Sequence, residues 1–194
     1  MRARIECISQ HFTMSIANRQ CQIFFTAVLT LMLCISLFLV YPKLLPLLMW
    51  NREAITTGEW WRLLSAHIVH LDSHHLLLNL IRLVLIVASL CQSMTMRELA
   101  SLLLTCACGI SYLLLYLQPD LHWYAGLSGV LHGVWAAAAA QCWMGLQKRL
   151  AMWAWFVLLV KLIFFNQGIT DMPVVSVAHV YGAISGLGLL VVGQ

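Results

Sequence analysis

Polar side chains that could take part in chemistry are few in this chain of 194 residues, and they fall into three groups. Each group lies near the beginning of a long apolar run. Burying polar groups in such surroundings is costly, so each of them is a candidate for function. The groups are His70, His74, His75 and Asn79; Ser128 and His132; and His179.

A serine and a histidine can together cleave an acyl bond. The serine hydroxyl becomes a nucleophile when an imidazole accepts its proton, and the same imidazole can later protonate the leaving amine. Ser128 and His179 could form such a pair. The oxyanion that results needs hydrogen-bond donors, and His75 and Asn79, spaced i, i+4, could supply them from one helix face. No Asp or Glu lies in the runs that carry Ser128 and His179, so a Ser–His dyad is the simplest interpretation.

The composition places these residues in a membrane. Apolar residues make up 62% of the chain and charged residues only 9%, whereas soluble proteins carry roughly a quarter charged residues. The outer surface must therefore face the lipid bilayer. The net charge is only +4, and the basic residues form no continuous run. Both features argue against a nucleic-acid partner.

The apolar runs predict six membrane spans, since a membrane helix needs about 20 mostly apolar residues. The runs cover 22–41, 74–91, 99–117, 126–144, 150–165 and 174–192. The first is too long for a signal-peptide core and has no small-x-small cleavage site after it, so we interpret it as a retained span. The prediction is a cytoplasmic segment over 1–21 and one all-α, polytopic bundle over 22–194.

The fixed positive charges predict the orientation of the bundle, because cytoplasmic loops carry more Lys and Arg. One side receives Arg2, Arg4, Arg19, Arg97, Lys148 and Arg149, and the other receives Lys43, Arg52 and Arg62. Both termini are therefore predicted to be cytoplasmic, with outward loops at 42–73, 118–124 and 166–173. Spans two, four and six then all begin on the outer side, which places the three polar groups at a similar depth.

Small residues predict which spans lie close together. Gly129 and Gly133 in span four, and Gly182 and Gly186 in span six, are spaced as in helices that approach closely in membranes. We therefore expect spans four and six to be in tight contact. Four tryptophans near span ends are expected to be interfacial anchors. They are Trp50, Trp60, Trp61 and Trp123.

The ordered set of motifs resembles the rhomboid intramembrane serine proteases. The motifs are Trp61-Arg62 in the first outer loop, His70 with His75 and Asn79 entering span two, Gly126-Leu127-Ser128-Gly129 opening span four, and Ala178-His179 with Gly182 in span six. The resemblance covers about residues 22–192. It implies Ser128 as nucleophile, His179 as general base, and His75 with Asn79 as oxyanion stabilisers. It also implies that the Trp61–Arg62 loop is a scaffold at the membrane surface.

One position departs from the usual rhomboid pattern. Many rhomboids have a tyrosine one turn after the serine, packed beneath the catalytic histidine, and this chain has His132 there. His132 could hydrogen-bond and orient His179, as a carboxylate does in a triad, or it could fill the space of the tyrosine. The short chain and the run from Gly126 to Gly133 resemble the rhombosortase subgroup. That subgroup is associated with bacterial exported proteins that end in Gly-Gly, a hydrophobic helix and a basic tail.

The resemblance implies a serine endopeptidase that removes the C-terminal membrane anchor of exported proteins. Its site would open to the periplasmic side of a bacterial inner membrane. Hydrolysis and transfer of the acyl group to a second nucleophile both stay open. The alternative is a non-catalytic rhomboid-like protein that binds membrane helices, although the presence of both Ser128 and His179 counts against it. A third alternative is a small transporter with a histidine proton relay, for which internal repeats and polar groups spread across the membrane would be expected. The polar groups of this chain instead cluster toward one side.

A metal or cofactor is not predicted. His67, His70 and His74 suggest a metal site, because His70 and His74 are spaced i, i+4 and imidazole binds zinc. However, no HExxH occurs, and Asp72 is the only nearby acid. We expect His70 to brace the outer loop by hydrogen bonds instead. The proposed serine chemistry requires no cofactor.

The remaining notable side chains are expected to have structural roles. The seven cysteines are odd in number and form no CxxC pair, so we interpret them as packing residues. Arg82 and Lys161 lie inside predicted spans. Each is expected either to snorkel or to face an inward water pocket, and no catalytic role is assigned to them.

Overall fold

The computed structural model describes residues 41–89, 94–164 and 176–192, together with residues 26, 27, 30, 31, 33–35, 37 and 38. The predicted cytoplasmic segment 1–21 and the predicted outer loop 166–173 lie outside these residues, as does much of the first span. The elements with defined bounds are α1 (Tyr41–Leu48), β1 (Trp50–Asn51), α2 (Arg52–Thr56), α3 (Arg62–Ser65), α4 (Ser73–Ser89), α5 (Met96–Leu117), β2 (Trp123–Tyr124), α6 (Ser128–Met144), α7 (Lys148–Phe164) and α8 (Ser176–Val192).

The five long helices α4–α8 confirm that predicted spans two to six are helical and occur in the predicted order. Within the described residues, Met96–Leu117 is the helix that is long and apolar enough to cross a membrane by length and composition alone. Helices α4, α6, α7 and α8 each have 17 residues. At 1.5 Å per residue, each would be about 25 Å long, close to the lower limit for a membrane span.

Local capping explains where α5 begins and ends. The Thr95 hydroxyl accepts from the backbone N–H of Glu98, and the Glu98 carboxylate accepts from the backbone N–H of Thr95, which together form a capping box. The helix ends just before Pro119, a residue that cannot continue the hydrogen-bond pattern. This boundary places the 118–124 loop directly after α5.

Helix α6 lies at the centre of the bundle and contacts α4, α5, α7 and α8. It is buried along almost its whole length, and the first four of its five consecutive alanines, 136–139, are fully buried. Small side chains allow neighbouring backbones to approach closely, which is how helices pack without a hydrophobic driving force. The central helix is thus the platform on which the other helices are arranged.

The contact between α6 and α8 is very close, as the glycine spacing predicts. A Cβ atom added at Gly182 would overlap the carbonyl oxygen of Gly129, and one added at Gly186 would overlap that of Gly133. The prediction that spans four and six approach closely is therefore confirmed. This contact brings the polar residues of α6 and α8 within reach of each other.

The first outer loop folds back onto the loop that precedes α6. Strands β1 and β2 pair antiparallel, with Trp50 opposite Tyr124. The guanidinium of Arg52 donates hydrogen bonds to carbonyl oxygens at and beyond the end of α5. Those acceptors are Leu114, Leu115, Gln118 and Leu121. The outer loop is thereby fixed to the chain that leads into α6.

Arg62 holds the first outer loop together from within. Its guanidinium donates to the carbonyl oxygens of Pro46 and Met49 at 2.8 and 2.9 Å, and it pairs with Glu59 at 2.6 Å. Trp60 and Trp61 are exposed, which fits the predicted interfacial position. The same prediction is wrong for Trp50, which is fully buried. The Cζ atom of Arg52 lies over the Trp50 ring, 5.4 Å from the ring centroid.

Candidate active site

Ser128 and His179 lie side by side in the interior of the bundle. Ser128 is the first residue of α6, and His179 lies in the first turn of α8. The Oγ atom of Ser128 is 3.0 Å from Nε2 of His179. This separation is within the range in which a base can accept the proton of a nucleophile. Both side chains are buried, at 2% and 8% exposure, so few other groups can compete for the hydrogen bond.

The turn before Ser128 requires glycine at position 126. Gly126 has φ +125°, a backbone conformation that other residues rarely adopt. A Cβ atom there would also lie 2.6 Å from Cε1 of His75. The glycine therefore lets the chain turn sharply into α6, and it lets His75 lie against the peptide next to the serine.

His75 approaches this turn from α4, and Asn79 lies one helical turn further along α4. His75 lies against Gly126, and its ring meets that of His70 edge-on with centroids 5.3 Å apart. Asn79 is fully buried, and neither Oδ1 nor Nδ2 has a hydrogen-bond partner among the described residues. Unpaired buried amides are costly and rare in folded proteins. Helix α4 therefore brings polar groups to α6 in addition to those that α8 brings.

His132 lies directly against the ring of His179. The two rings are stacked, with centroids 4.1 Å apart and an angle of 21° between their planes. Nδ1 of His132 is 2.6 Å from the backbone oxygen of Ser128, one turn earlier in α6. Its Nε2 has no hydrogen-bond partner within the described parts of the chain. Of the two hypotheses for His132, this geometry favours the one in which the ring fills the space beneath His179.

Arg82 and Lys161 lie near the same site. Both side chains are partly buried. They are close enough to interact electrostatically with each other and with the imidazoles of His132 and His179. Their charges are therefore part of the electrostatic environment of the Ser128–His179 pair.

His70 does not brace the outer loop in the predicted way. Neither of its ring nitrogens has a hydrogen-bond partner among the residues that the structure describes, so that prediction is wrong. Burial lowers the pKa of His70 from 6.5 to about 4. The neutral ring acts as a packing group against His75 rather than as a hydrogen-bonding brace.

The chain matches a known protein family over most of its length. The family model described as the rhomboid domain matches residues 57–193. The chain belongs to the rhomboid family. Members of this family are generally intramembrane serine proteases that act on membrane-embedded protein substrates, so the chain is an integral membrane protein. No match is found among the curated proteins.

A buried hydrogen bond between His67 and Ser111 also supports the rhomboid site, and sequence reasoning did not identify it. Nε2 of His67 is 3.0 Å from the Ser111 hydroxyl, which itself donates to the Leu63 carbonyl at 2.6 Å. Because that hydroxyl proton is already used, His67 must donate from Nε2. Burial lowers the pKa of His67 from 6.5 to about 4, so it is neutral at pH 7. The pair connects the outer loop to α5.

Tyr124 joins this support to the turn before Ser128. Its ring packs on His67 with centroids 5.4 Å apart, and its hydroxyl donates to the Gly126 carbonyl at 2.6 Å. Burial raises the pKa of the phenol, so it stays protonated and remains a donor. The N–H of Gly126 donates to the Ala66 carbonyl at 2.8 Å. A tyrosine two residues before the glycine was the only signal in the sequence, and on its own it indicates no role.

Proposed function

We propose that this rhomboid cleaves peptide bonds with Ser128 as nucleophile and His179 as general base. The observation that carries the proposal is the distance of 3.0 Å between Oγ and Nε2. In the first step, the Ser128 proton moves to Nε2 while Oγ bonds to the carbonyl carbon of the scissile peptide. As the tetrahedral intermediate collapses, the imidazolium of His179 gives its proton to the leaving amine. An acyl-enzyme on Ser128 remains.

The oxyanion of that intermediate would be stabilised by three donors. The backbone N–H of Ser128 lies at the N-terminus of α6, where unpaired N–H groups and the helix dipole favour negative charge. The side chains of His75 and Asn79 would reach the same region from α4. The unpaired, fully buried amide of Asn79 supports this role, since a donor that pairs only when charge develops contributes most in the transition state.

His132 would orient the base through its ring rather than through a hydrogen bond to it. The stack with His179 at 4.1 Å supports this role. A flat ring packed against the imidazole restricts its rotation, and so keeps Nε2 directed at Ser128. Within this proposal His132 is a positioning residue.

The proposed substrates are exported proteins of the rhombosortase type, whose C-terminal anchor consists of Gly-Gly, a hydrophobic helix and a basic tail. This assignment is supported by the run from Gly126 to Gly133 and by the histidine in place of tyrosine at position 132. Glycines weaken a helix by up to about 1 kcal/mol each. They would therefore help the peptide bond to unwind from the helix before attack. Water or a second nucleophile could then release the acyl group.

The proposed setting is a bacterial inner membrane that six helices over residues 22–194 cross, with both termini and the segment 1–21 in the cytoplasm. The excess of Lys and Arg on one side supports this orientation. Ser128 and His179 lie near the starts of α6 and α8. In this orientation both helices begin on the periplasmic side, which is where an exported protein would arrive.

Co-expression with a reporter tests the proposed function. The reporter is an exported protein that ends in Gly-Gly, an apolar helix and a basic tail. Wild type, Ser128→Ala and His179→Ala would be compared at matched membrane levels, with the exposed residues Ser101→Ala and His122→Ala as controls. We expect tail removal by wild type and both controls, and a loss of at least about 10³-fold in the two site variants.

The same experiment can contradict the proposal. Cleavage that survives Ser128→Ala would exclude Ser128 as nucleophile. Binding of the reporter without cleavage by the wild type would favour a non-catalytic protein that recognises membrane helices. If cleavage occurs, the mass of the new C-terminus distinguishes hydrolysis from transfer, because only transfer adds the mass of a second nucleophile.

A further inference from the structure

The N-terminal end of α6 carries the proposed nucleophile but has no ordinary cap. Leu127, at the N-cap position, makes no side-chain hydrogen bond to the helix. In contrast, Asn51 caps α2 and Thr95 caps α5. The first N–H groups of any helix lack partners within the helix. Here Leu127 and Ser128 are buried, so another protein group must organise this helix end.

The Tyr124 hydroxyl lies at this helix end. It donates to the Gly126 carbonyl at 2.6 Å. Its oxygen also lies beside the backbone N–H of Gly129, and a Cβ atom on Gly129 would be 3.2 Å from it. One fully buried hydroxyl therefore contacts the backbone on both sides of Ser128.

The contact with Gly126 matters because this glycine is the most freely rotating point in the turn. A trans peptide holds its C=O and its following N–H in opposite directions in one plane. Fixing the Gly126 carbonyl therefore also fixes the N–H of Leu127 and the entry into α6. The Gly126 N–H is held separately by the Ala66 carbonyl at 2.8 Å. With Tyr124 and Ala66 in place, both peptides that meet at Gly126 have a fixed direction.

We propose that the Tyr124 hydroxyl is a positioning group for the nucleophile. It locks the Gly126–Leu127 peptide and thereby directs both Oγ and the backbone N–H of Ser128 at the carbonyl under attack. This inference rests on the proposed Ser128–His179 mechanism. A displacement of reacting groups by about 1 Å can cost about 10²-fold in rate, so a hydroxyl that does not touch substrate can still set the rate.

The competing interpretation is that Tyr124 is only a packing residue. Its backbone pairs with Trp50, and its ring packs on His67. Tyr124→Phe keeps the strand pairing and the ring, and it removes only the hydroxyl. The variant therefore separates the two interpretations.

The test measures covalent labelling of Ser128 by a fluorophosphonate probe on the purified full chain in detergent. Time courses give two numbers, the rate constant and the final labelled fraction. For Tyr124→Phe we expect a rate constant at least about tenfold lower with a final fraction close to that of wild type. Tyr181→Phe is the matched control. This variant also loses one hydrogen bond to a phenol oxygen, which Gln118 donates at 2.9 Å. It leaves the hydrogen bond to the Gly126 carbonyl intact, so its rate constant should equal that of wild type.

The possible results differ in what they overturn. A wild-type rate constant in Tyr124→Phe would overturn the positioning role and leave the proposed function standing. A lower labelled fraction with an unchanged rate constant would also overturn it, because loss of folded protein removes active molecules without slowing the others. If the wild type is not labelled at Ser128, the proposed function itself fails, and the inference fails with it.

Discussion

At the scale of single residues, the stack of two imidazoles distinguishes this site from the usual rhomboid pattern. His132 lies 4.1 Å from His179 between ring centroids, nearly parallel to it, and its Nδ1 faces the Ser128 carbonyl of its own helix. Aromatic contacts of this kind add about 0.5–1.5 kcal/mol beyond the area that they bury. The flat face of the ring, rather than its nitrogen atoms, is what His179 contacts.

Substitution of His132 distinguishes a role of its flat ring, which stacks on His179, from a role of its nitrogen atoms, which could form hydrogen bonds. His132→Phe keeps a flat ring, and we expect it to retain cleavage within about tenfold of wild type. His132→Ala removes the stack, and we expect a loss of about 10²-fold because the base is no longer held in place. Reporter cleavage at matched membrane levels gives the comparison. If His132→Phe is as inactive as His132→Ala, the imidazole nitrogens are needed and the stacking account is wrong.

Sequence reasoning pointed to Ser128 and His179 because their types define a reaction and because their helices are predicted to begin on one side of the membrane. It failed for His70, whose nitrogens were expected to form hydrogen bonds and have none among the described residues. The partners of a loop side chain depend on how the loop folds against distant segments. No local pattern in the sequence contains that information.

At the scale of elements, the crossing of α6 and α8 determines whether Ser128 and His179 can meet. Glycines on both helices remove the side chains that would hold the backbones apart. The carbonyl oxygens of Gly129 and Gly133 lie where a Cβ atom of Gly182 or Gly186 would be. The distance between the proposed nucleophile and the proposed base therefore depends on residues that would take no part in the chemistry.

Alanine at position 182 should force α6 and α8 apart. Overpacking a tight contact typically costs about 1–3 kcal/mol, so we expect Gly182→Ala to melt at a lower temperature and to lose most of its cleavage activity. Gly188→Ala is the matched control, because nothing lies within 4 Å of a Cβ atom there. Thermal unfolding in detergent and reporter cleavage would be measured on both. Equal stability and activity in the two variants would contradict the proposed contact.

The outer loop should make stability depend on pH through His67. Its pKa is about 4 in the folded chain against 6.5 ordinarily, so the unfolded chain binds the extra proton between these values. The contribution of His67 to the free energy of unfolding should therefore be fully present above about pH 6.5, and it should be lost as the pH drops towards 4. Melting temperatures across this range give the measurement. His67→Gln should reduce the slope, and the exposed His122→Gln should leave it unchanged.

His70, whose folded pKa is also about 4, would act in the same direction. A residual slope in His67→Gln is therefore expected. A slope in His67→Gln equal to that of wild type would instead show that the His67–Ser111 pair does not contribute.

The long helices were predictable because long apolar runs dominate the sequence, whereas the small sheet was not. Strands β1 and β2 have two residues each, too few to show any alternating pattern. Trp50 was expected at the membrane surface but is buried beneath Arg52. Both features depend on the outer loop folding back onto the end of α5, a contact between segments far apart in sequence.

At the scale of the whole molecule, the distribution of charge predicts how the bundle lies in the membrane. Lys148 and Arg149 are the first residues of α7, and the short connection before them is predicted to be cytoplasmic. The first outer loop is predicted to face the periplasm. This orientation would place the starts of α6 and α8, and hence the site, on the side where the proposed exported substrates arrive.

Cysteine labelling in intact spheroplasts tests this orientation. Thr57 in the first outer loop and Gln147 between α6 and α7 are both exposed. A membrane-impermeant maleimide should label Thr57→Cys in intact spheroplasts, and it should label Gln147→Cys only after lysis. The parent chain, which keeps its own cysteines, provides the background. The reverse pattern would place the site on the cytoplasmic side and would contradict the proposed substrates.

The most direct measurement for the central claim is to locate the covalent adduct of a fluorophosphonate probe by peptide mass spectrometry. Wild type and His179→Ala would be compared after equal exposure to the probe. The Ser128–His179 account predicts an adduct on Ser128 in the wild type and a loss of at least about 10³-fold in His179→Ala. An adduct on another residue, or equal labelling of Ser128 in both proteins, would contradict it.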